Sequence, residues 1–197
     1  KCRILGGEMK NNIQSLVFPL GLVAMASLIY SVGTSTIFLL PMNNLPLSYL
    51  FTLIIFMPLG FMLIPHMVSK RNEIYSSDCE VKFHWKSYIC IALMIFLVNH
   101  FVLGSDEYFH QMIIAMCEEF LFRFVIYRVL RKNYSYLLAI LIGSLLFGVL
   151  LHLNYPLVDN LLVRFPLGLL FSLLATKLGL EYAVGGHWIF NLYQSII

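Results

Sequence analysis

Charged residues are scarce in this sequence, and the motifs of several familiar protein classes are missing. Lysine, arginine, aspartate and glutamate make up 12% of the 197 residues, whereas a soluble domain has about a quarter. The net charge of +3 is too small to indicate a nucleic-acid surface, so we expect no nucleic-acid partner. The four cysteines show no CxxC or other metal-ligand spacing, which argues against a disulfide or zinc-finger framework.

Apolar residues dominate instead. They make up 60% of the chain, and the mean hydropathy is +0.84. Apolar runs alternate with short polar segments, and most runs are long enough to cross a bilayer as a helix. The predicted spans are residues 13–40, 47–68, 87–103, 112–130, 134–153, 161–178 and 183–197. The sequence therefore predicts an all-α, polytopic transmembrane helix bundle of about seven spans, bound to the lipid bilayer.

Basic residues lie in alternate loops of this arrangement. Lysines and arginines precede the first span, follow the second, and close the fourth and the sixth, whereas the loops between have none. Because positive residues stay on the cytoplasmic side, this pattern predicts a multi-pass protein of the cell membrane. Its N-terminus is expected in the cytoplasm and its C-terminus outside.

Two adjacent acids and an arginine interrupt the fourth predicted span. Each ionisable group at membrane depth costs about 2.5–3.5 kcal/mol on insertion scales, so the three need a reason to be there. Glu119 and Arg123 are four residues apart, share a helix face and are predicted to form an ion pair. Glu118 points about 140° away from Arg123 and has no partner on its own helix. A buried, unpaired carboxylate holds a proton more readily, which suits a general base near neutral pH.

Three further polar residues lie inside later apolar spans: His152, and His187 with Asn191 four residues on. Single membrane histidines often only hydrogen-bond to a neighbouring helix, but the whole set favours chemistry. A carboxylate can take a proton from water, a histidine can orient or donate, and an amide can stabilise an oxyanion. The same groups could instead hold a divalent metal.

Three motifs occur in this order: Glu118-Glu119-x-x-x-Arg123, Phe147-Gly148-x-x-x-His152 and His187-x-x-x-Asn191. Together they resemble the CPBP (Abi) family of intramembrane proteases, which includes type II CAAX prenyl endopeptidases and bacteriocin-processing or immunity proteins. Arg164-Phe165-x-x-Gly168 resembles the glycine-bearing helix before the last motif. The resemblance implies a four-helix protease core in residues 105–197, preceded by N-terminal transmembrane helices in residues 1–104, in one integrated membrane domain.

The resemblance also implies an activity and its residues. The chain would be an intramembrane endopeptidase that hydrolyses a peptide bond in a hydrophobic or membrane-delivered peptide or protein substrate. Glu118 would activate water, with His152, His187 and Asn191 completing the catalytic site. Glu119 and Arg123 would support that site.

One position departs from the family pattern. The family usually has phenylalanine four residues before the histidine of the second motif, whereas here Gly148 occupies that place and Phe147 lies five before. On an α-helix this shift turns the aromatic ring by about 100°. It therefore argues against a substrate-lining role for Phe147.

The sequence leaves the cofactor open. Glu118, His152 and His187 would be the ligands of a zinc ion, although no HExxH motif is present. No acidic or carbonyl group is obviously placed to orient two ligand histidines, as zinc sites require. We therefore favour a mechanism without a cofactor, and a divalent metal such as zinc is the alternative.

Two other classes of function compete with the protease. A non-catalytic membrane scaffold or bacteriocin-immunity protein of the same fold need not retain the four polar residues. A proton-coupled transporter using Glu118 would more often show an internal repeat, which this sequence lacks. Straight helices would place Glu118 near mid-membrane, His152 near the outer end of its span and His187 near the inner end. Whether the three meet, and on which side their site opens, the sequence leaves open.

Overall fold

A computed structural model describes residues 10–39, 45–76 and 81–197, with side chains from residue 15 onward. These ranges contain helices and connecting segments and no strand, which confirms the all-α prediction. The basic N-terminal residues 1–9 lie outside the described part. Seven helices follow one another: α1 Lys10–Ser35, α2 Leu45–Arg71, α3 Trp85–Leu103, α4 108–131, α5 Tyr136–Leu150, α6 Leu157–Lys177 and α7 Leu180–Gln194.

Four of these helices, α1, α2, α3 and α6, are long and apolar enough to cross a membrane, and α5 is a shorter apolar helix. Many of their leucines, isoleucines and phenylalanines are exposed on the outside of the bundle, as lipid-facing side chains would be. The helices indicate a multi-pass membrane protein. Because α4 is rich in charge and α7 has only 15 residues, the total of about seven spans stays a prediction.

The helix ends gather at two opposite ends of the bundle. At one end, Ser105 Oγ lies 2.7 Å from Ser195 Oγ, so the start of α4 adjoins the end of α7. At the other end, the Leu180 backbone N–H donates to the Lys82 carbonyl at 2.9 Å. The start of α7 therefore adjoins the segment before α3.

The two ends differ in charge. We call the end formed by segments 104–107, 151–156 and 195–197 the acidic end, because its charged residues are Asp106 and Glu107 and these segments contain no lysine or arginine. The opposite end, formed by segments 72–76, 81–84, 132–135 and 178–179 and the adjoining helix termini, is the basic end. It carries the cationic residues Lys70, Arg71, Lys82, Lys86, Arg128, Arg131, Lys132 and Lys177.

Short π-helical segments interrupt five helices, α2 to α6. A π turn holds an extra residue, so it rotates every following side chain relative to a plain α-helix, and such turns are frequent at functional sites. Three of them, Phe120–Ile126, Leu146–Leu150 and Asn160–Arg164, lie beside the polar residues singled out above.

A glycine brings α5 and α6 into backbone contact. A Cβ at Gly148 would lie 2.7 Å from the Phe165 backbone nitrogen, so no larger residue fits without movement. One helical turn earlier, Ser144 Oγ lies 3.2 Å from Ser172 Oγ across the same interface. Small residues that allow close approach are the usual way in which membrane helices pack. The contact fixes the end of α5, and with it His152, against the start of α6.

Candidate active site

One cavity of about 840 Å³ is lined by all four residues proposed from the sequence as catalytic. Glu118 reaches it from α4, His152 from the segment after α5, and His187 and Asn191 from α7. The structure thus brings together residues that straight helices would have placed at different depths.

The cavity opens at the acidic end of the bundle. Its lining includes the exposed residues Glu107, Tyr155 and Ser195, which belong to the three segments of that end. Further in, one face of α4 forms a wall through Gln111 and Glu118. Glu118 lies eleven positions after Glu107, which corresponds to about 16 Å of α-helix. Glu118 therefore lies deep in a cavity whose rim is polar.

Glu118 is 8% exposed and has an oxygen without a partner. Its Oε2 is fully covered and makes no hydrogen bond with any described residue. Its ion-pair contact among the described residues is with Nε2 of His187. The two atoms are 3.8 Å apart, which is too long for a direct hydrogen bond. Buried polar atoms are nearly always hydrogen-bonded, so an orphaned oxygen on a carboxylate that lines a cavity indicates a site for water or a ligand.

Glu119 is the opposite case, because both of its oxygens are used and it is fully buried. Its Oε2 accepts a hydrogen bond from Arg123 Nε at 2.9 Å, and this is the predicted ion pair. Its Oε1 lies 2.9 Å from His187 Nδ1, a contact that the sequence did not reveal because it joins residues 68 positions apart. We call Glu119, Arg123 and His187 the paired layer.

The paired layer assigns the proton on His187. A carboxylate that is already paired with arginine can only accept, so Nδ1 donates to Glu119. In the neutral ring, Nε2 then carries a lone pair and faces Glu118. The Glu119 carboxylate thereby holds His187 in one tautomer and one orientation, as the aspartate of a catalytic triad does for its histidine.

His152 is held in a similar way by a backbone carbonyl. Its Nδ1 donates to the Phe147 carbonyl at 2.9 Å. The Phe147 ring stands edge-on to His152, at a centroid distance of 5.2 Å, and to His187, at 5.4 Å. It also lines the cavity and lies under the Arg123 guanidinium, 4.9 Å from the ring centroid.

The expectation that Phe147 is turned away from the site is therefore wrong. It assumed an α-helix, in which residues five apart diverge by about 140°. The segment Leu146–Leu150 is π-helical, so the extra residue of the motif is absorbed by a wider turn. Phe147 therefore contacts His152 and lines the cavity although it lies five residues before the histidine.

Two neighbours of the histidines gave no signal in the sequence. Phe171 of α6 stacks on His187 at 5.2 Å between centroids and 15° between ring planes. Asn160 Nδ2 donates to the His152 carbonyl at 2.7 Å. A phenylalanine in an apolar helix and an asparagine after a turn are too common to single out, so only the tertiary structure identifies them.

The orienting groups that we expected to be missing for a metal site are present. The Glu119 carboxylate orients His187 and the Phe147 carbonyl orients His152, which is the usual support of zinc-binding histidines. Nevertheless, no three histidine, cysteine, aspartate or glutamate side chains in the described ranges lie close enough to hold a metal ion. The two histidines are thus oriented as metal ligands would be, but they are not grouped with a third ligand. The choice between a metal-free and a metal-dependent mechanism stays a prediction.

A multi-pass helical bundle with a buried carboxylate–histidine site is the arrangement that the sequence predicts for an intramembrane hydrolase. Within that class, residues 108–193 match the family described as Type II CAAX prenyl endopeptidase Rce1-like. The match spans α4 to α7 and contains all four candidate catalytic residues. It confirms the resemblance to the CPBP family and supports a CAAX-type intramembrane protease in general. Comparisons with curated proteins and with solved structures gave no match.

Proposed function

We propose that this protein is an intramembrane endopeptidase that hydrolyses a peptide bond in a hydrophobic or membrane-delivered peptide. The observation that carries the proposal is the orphaned Oε2 of Glu118, 3.8 Å from His187 Nε2 in the wall of a cavity. A volume of about 840 Å³ is within the usual range of substrate sites. The family match supports the same class of reaction.

In the proposed mechanism, the attacking water bridges Glu118 and His187. A polar gap longer than about 3.5 Å suits a bridging water, and both groups present lone pairs to it. The water donates one hydrogen bond to the Glu118 carboxylate and one to His187 Nε2, which leaves an oxygen lone pair free to attack the carbonyl carbon. Glu118 accepts the proton as general base and delivers it to the leaving amine.

Asn191 is assigned to the oxyanion. Its side chain lines the cavity and makes no hydrogen bond with the described residues, so its amide N–H groups are available to substrate. Both histidines donate through Nδ1 to protein oxygens, and in their neutral forms Nε2 only accepts. We therefore give His152 the role of accepting from the substrate amide N–H, rather than of stabilising the oxyanion.

The same proposal includes the topology. The cavity opens at the acidic end, and eight of the described lysines and arginines lie at the basic end, whereas Arg123 is buried inside the bundle and Arg164 lines the cavity. By the positive-inside rule the basic end faces the cytoplasm, so the cavity opens on the outer side and the C-terminus lies there too. Substrate then reaches Glu118 from outside or from the bilayer. Residues 105–197 form the protease core, and residues 1–104 supply the helices before it.

Hydrolysis itself is the test. The purified protein in liposomes is incubated with a set of hydrophobic peptides in water enriched in ¹⁸O, and the products are weighed by mass spectrometry. We expect fragments whose new C-terminal carboxylate carries one ¹⁸O atom, and no such fragments from Glu118→Gln. Absence of cleavage by the folded parent protein, as expected of a scaffold or an immunity protein, contradicts the proposal. Equal cleavage by the variant contradicts the role of Glu118.

A further inference from the structure

Arg164 is a second charged group on the catalytic cavity, and the mechanism above does not use it. It lies at the end of the π segment Asn160–Arg164 in α6, and its side chain lines the cavity with Glu118 and His152. Because α6 begins at the acidic end, Arg164 is placed between the mouth of the cavity and its interior.

Arg164 is held in place from three sides. Its guanidinium stacks on Tyr155, 3.6 Å from the ring centroid, and its NH1 donates to Asn160 Oδ1 at 3.4 Å. The same Asn160 donates from its amide to the His152 carbonyl at 2.7 Å. A Cβ at Gly148 would lie 3.1 Å from the Arg164 carbonyl carbon, so α5 packs closely against the backbone at this position. The guanidinium is thereby preorganised beside a catalytic residue.

Arg164 has no carboxylate within ion-pair distance in the part of the chain that the structure describes. By contrast, Arg123 is paired with Glu119 at 2.9 Å. Stacking and one long hydrogen bond use a single face and a single N–H of a group that has five N–H donors. A cation at membrane depth is costly unless something neutralises it.

We infer that Arg164 is an anion subsite of the cavity and binds a carboxylate of the peptide substrate. A guanidinium fork matches a carboxylate with two parallel hydrogen bonds, and this pairing is strongest where water is excluded. The inference rests on the proposed function in one respect, namely that the occupant is a peptide. The carboxylate comes from the C-terminus of the peptide or from an aspartate or glutamate side chain, and the experiment separates the two.

The competing explanation is that Arg164 only balances the charge of Glu118 across the cavity. The two explanations differ in what they predict for ligands. A balancing role makes Arg164 indifferent to whether the peptide carries a carboxylate. A subsite makes the loss of Arg164 harmful only to peptides that carry one.

Three fluorescent decapeptides of leucine and alanine provide the probes. The first has a free C-terminal carboxylate, the second an amide, and the third an amide together with one internal glutamate. Binding to the protein in a neutral detergent is measured by fluorescence anisotropy. We expect the parent to bind at least one of the two acidic peptides about ten- to a hundredfold more tightly than the neutral peptide, since hydrogen bonds to charged groups are worth that much. The peptide that is preferred identifies the source of the carboxylate.

Two substitutions sharpen the measurement. Arg164→Gln should remove the preference and leave the Kd of the neutral peptide unchanged, while Arg164→Lys, which keeps the charge without the fork, should retain part of it. Arg128→Gln is the matched control, because Arg128 also stacks on a tyrosine, 4.4 Å from the Tyr75 ring centroid, but does not line the cavity. It should leave all three affinities unchanged.

Either of two results would overturn the inference. If the parent binds the acidic and neutral peptides alike, or if Arg164→Gln weakens all three equally, Arg164 is not a carboxylate subsite. The comparison within the parent stands even if Arg164→Gln fails to fold. Where the parent cleaves the peptides, the preference should appear in KM rather than kcat. If no peptide is cleaved at all, the proposed protease function fails while the binding comparison still tests the subsite.

Discussion

Two layers of polar side chains meet in the active-site region, and they are built on opposite principles. In the paired layer, Glu119, Arg123 and His187 are buried and are joined by contacts of 2.9 Å, while the NH1 and NH2 groups of Arg123 have no hydrogen-bond partner among the described residues. On the open face, which we define as the cavity-lining residues Glu118, His152, Asn191 and Arg164, the key atoms have no protein partner or only a weak one.

The paired layer and the open face therefore have different roles, the first structural and the second chemical. The Glu119 carboxylate uses both of its oxygens within the protein, so it orients its neighbours and holds the helices in register but has no oxygen left for a substrate. The Glu118 oxygen without a partner costs folding free energy, which points to a role other than stability. Substitutions in the paired layer should therefore lower both stability and activity, whereas substitutions on the open face should lower activity alone.

The largest effect is expected from breaking the paired layer. Glu119→Ala or Arg123→Ala leaves an uncompensated charge, and removing one member of a buried pair costs about 3–5 kcal/mol. His187 also loses its anchor in Glu119→Ala, so cleavage should fall as well. Thermal unfolding in detergent and peptide cleavage measure the two effects. Unfolding of both variants at the temperature of the parent would refute a structural role for the pair.

A double substitution, Glu119→Gln with Arg123→Met, sharpens that prediction. Replacing both charges with neutral side chains of similar size removes the uncompensated charge, so much of the stability should return. Activity should stay low, because the neutral amide that replaces the Glu119 carboxylate no longer offers His187 a charged acceptor.

An intermediate effect is expected on the open face. Asn191→Ala removes the proposed oxyanion donor, and the loss of one such donor lowers kcat by about 10²–10³-fold. The melting temperature should stay that of the parent, because Asn191 has no side-chain hydrogen bond to the described residues. A large fall in melting temperature would place Asn191 in the structural layer instead.

A smaller effect is expected where α5 touches α6, next to His152 and Arg164. Gly148→Ala puts a Cβ 2.7 Å from the Phe165 backbone nitrogen, and overpacking of this kind costs about 1–3 kcal/mol. Gly143→Ala, on the same helix, meets its nearest neighbour at 3.9 Å and is the matched control. We expect loss of stability and cleavage from the first variant only. Equal behaviour of the two would show that the close approach is unimportant.

The smallest effect is expected from metal removal. In the proposed mechanism no step requires a metal, so treating the purified protein with a chelator should leave the rate of cleavage unchanged. Metal content is measured alongside. Stoichiometric zinc, with activity lost to the chelator and restored by added metal, would contradict the mechanism and leave the four site residues in place.

Much of this arrangement follows from local sequence rules. Apolar run lengths predicted the helices, and a spacing of four predicted the Glu119–Arg123 ion pair. Local rules failed for Phe147, because a π turn changes the rotation per residue, and nothing in the spacing of the motif indicates one. They also missed the hydrogen bond from His187 to Glu119, since it depends on how α4 and α7 pack.

The most direct test of the comparison uses the two adjacent glutamates. Glu118→Gln and Glu119→Gln make the same chemical change one residue apart, and each variant is measured for both unfolding and cleavage. Glu118→Gln should unfold as the parent does and lose about 10²–10⁴-fold in kcat, the usual contribution of a general base. Glu119→Gln should lose stability and activity together. Retention of parental cleavage by Glu118→Gln, or equal destabilisation by the two changes, would contradict the division of the site into a paired layer and an open face.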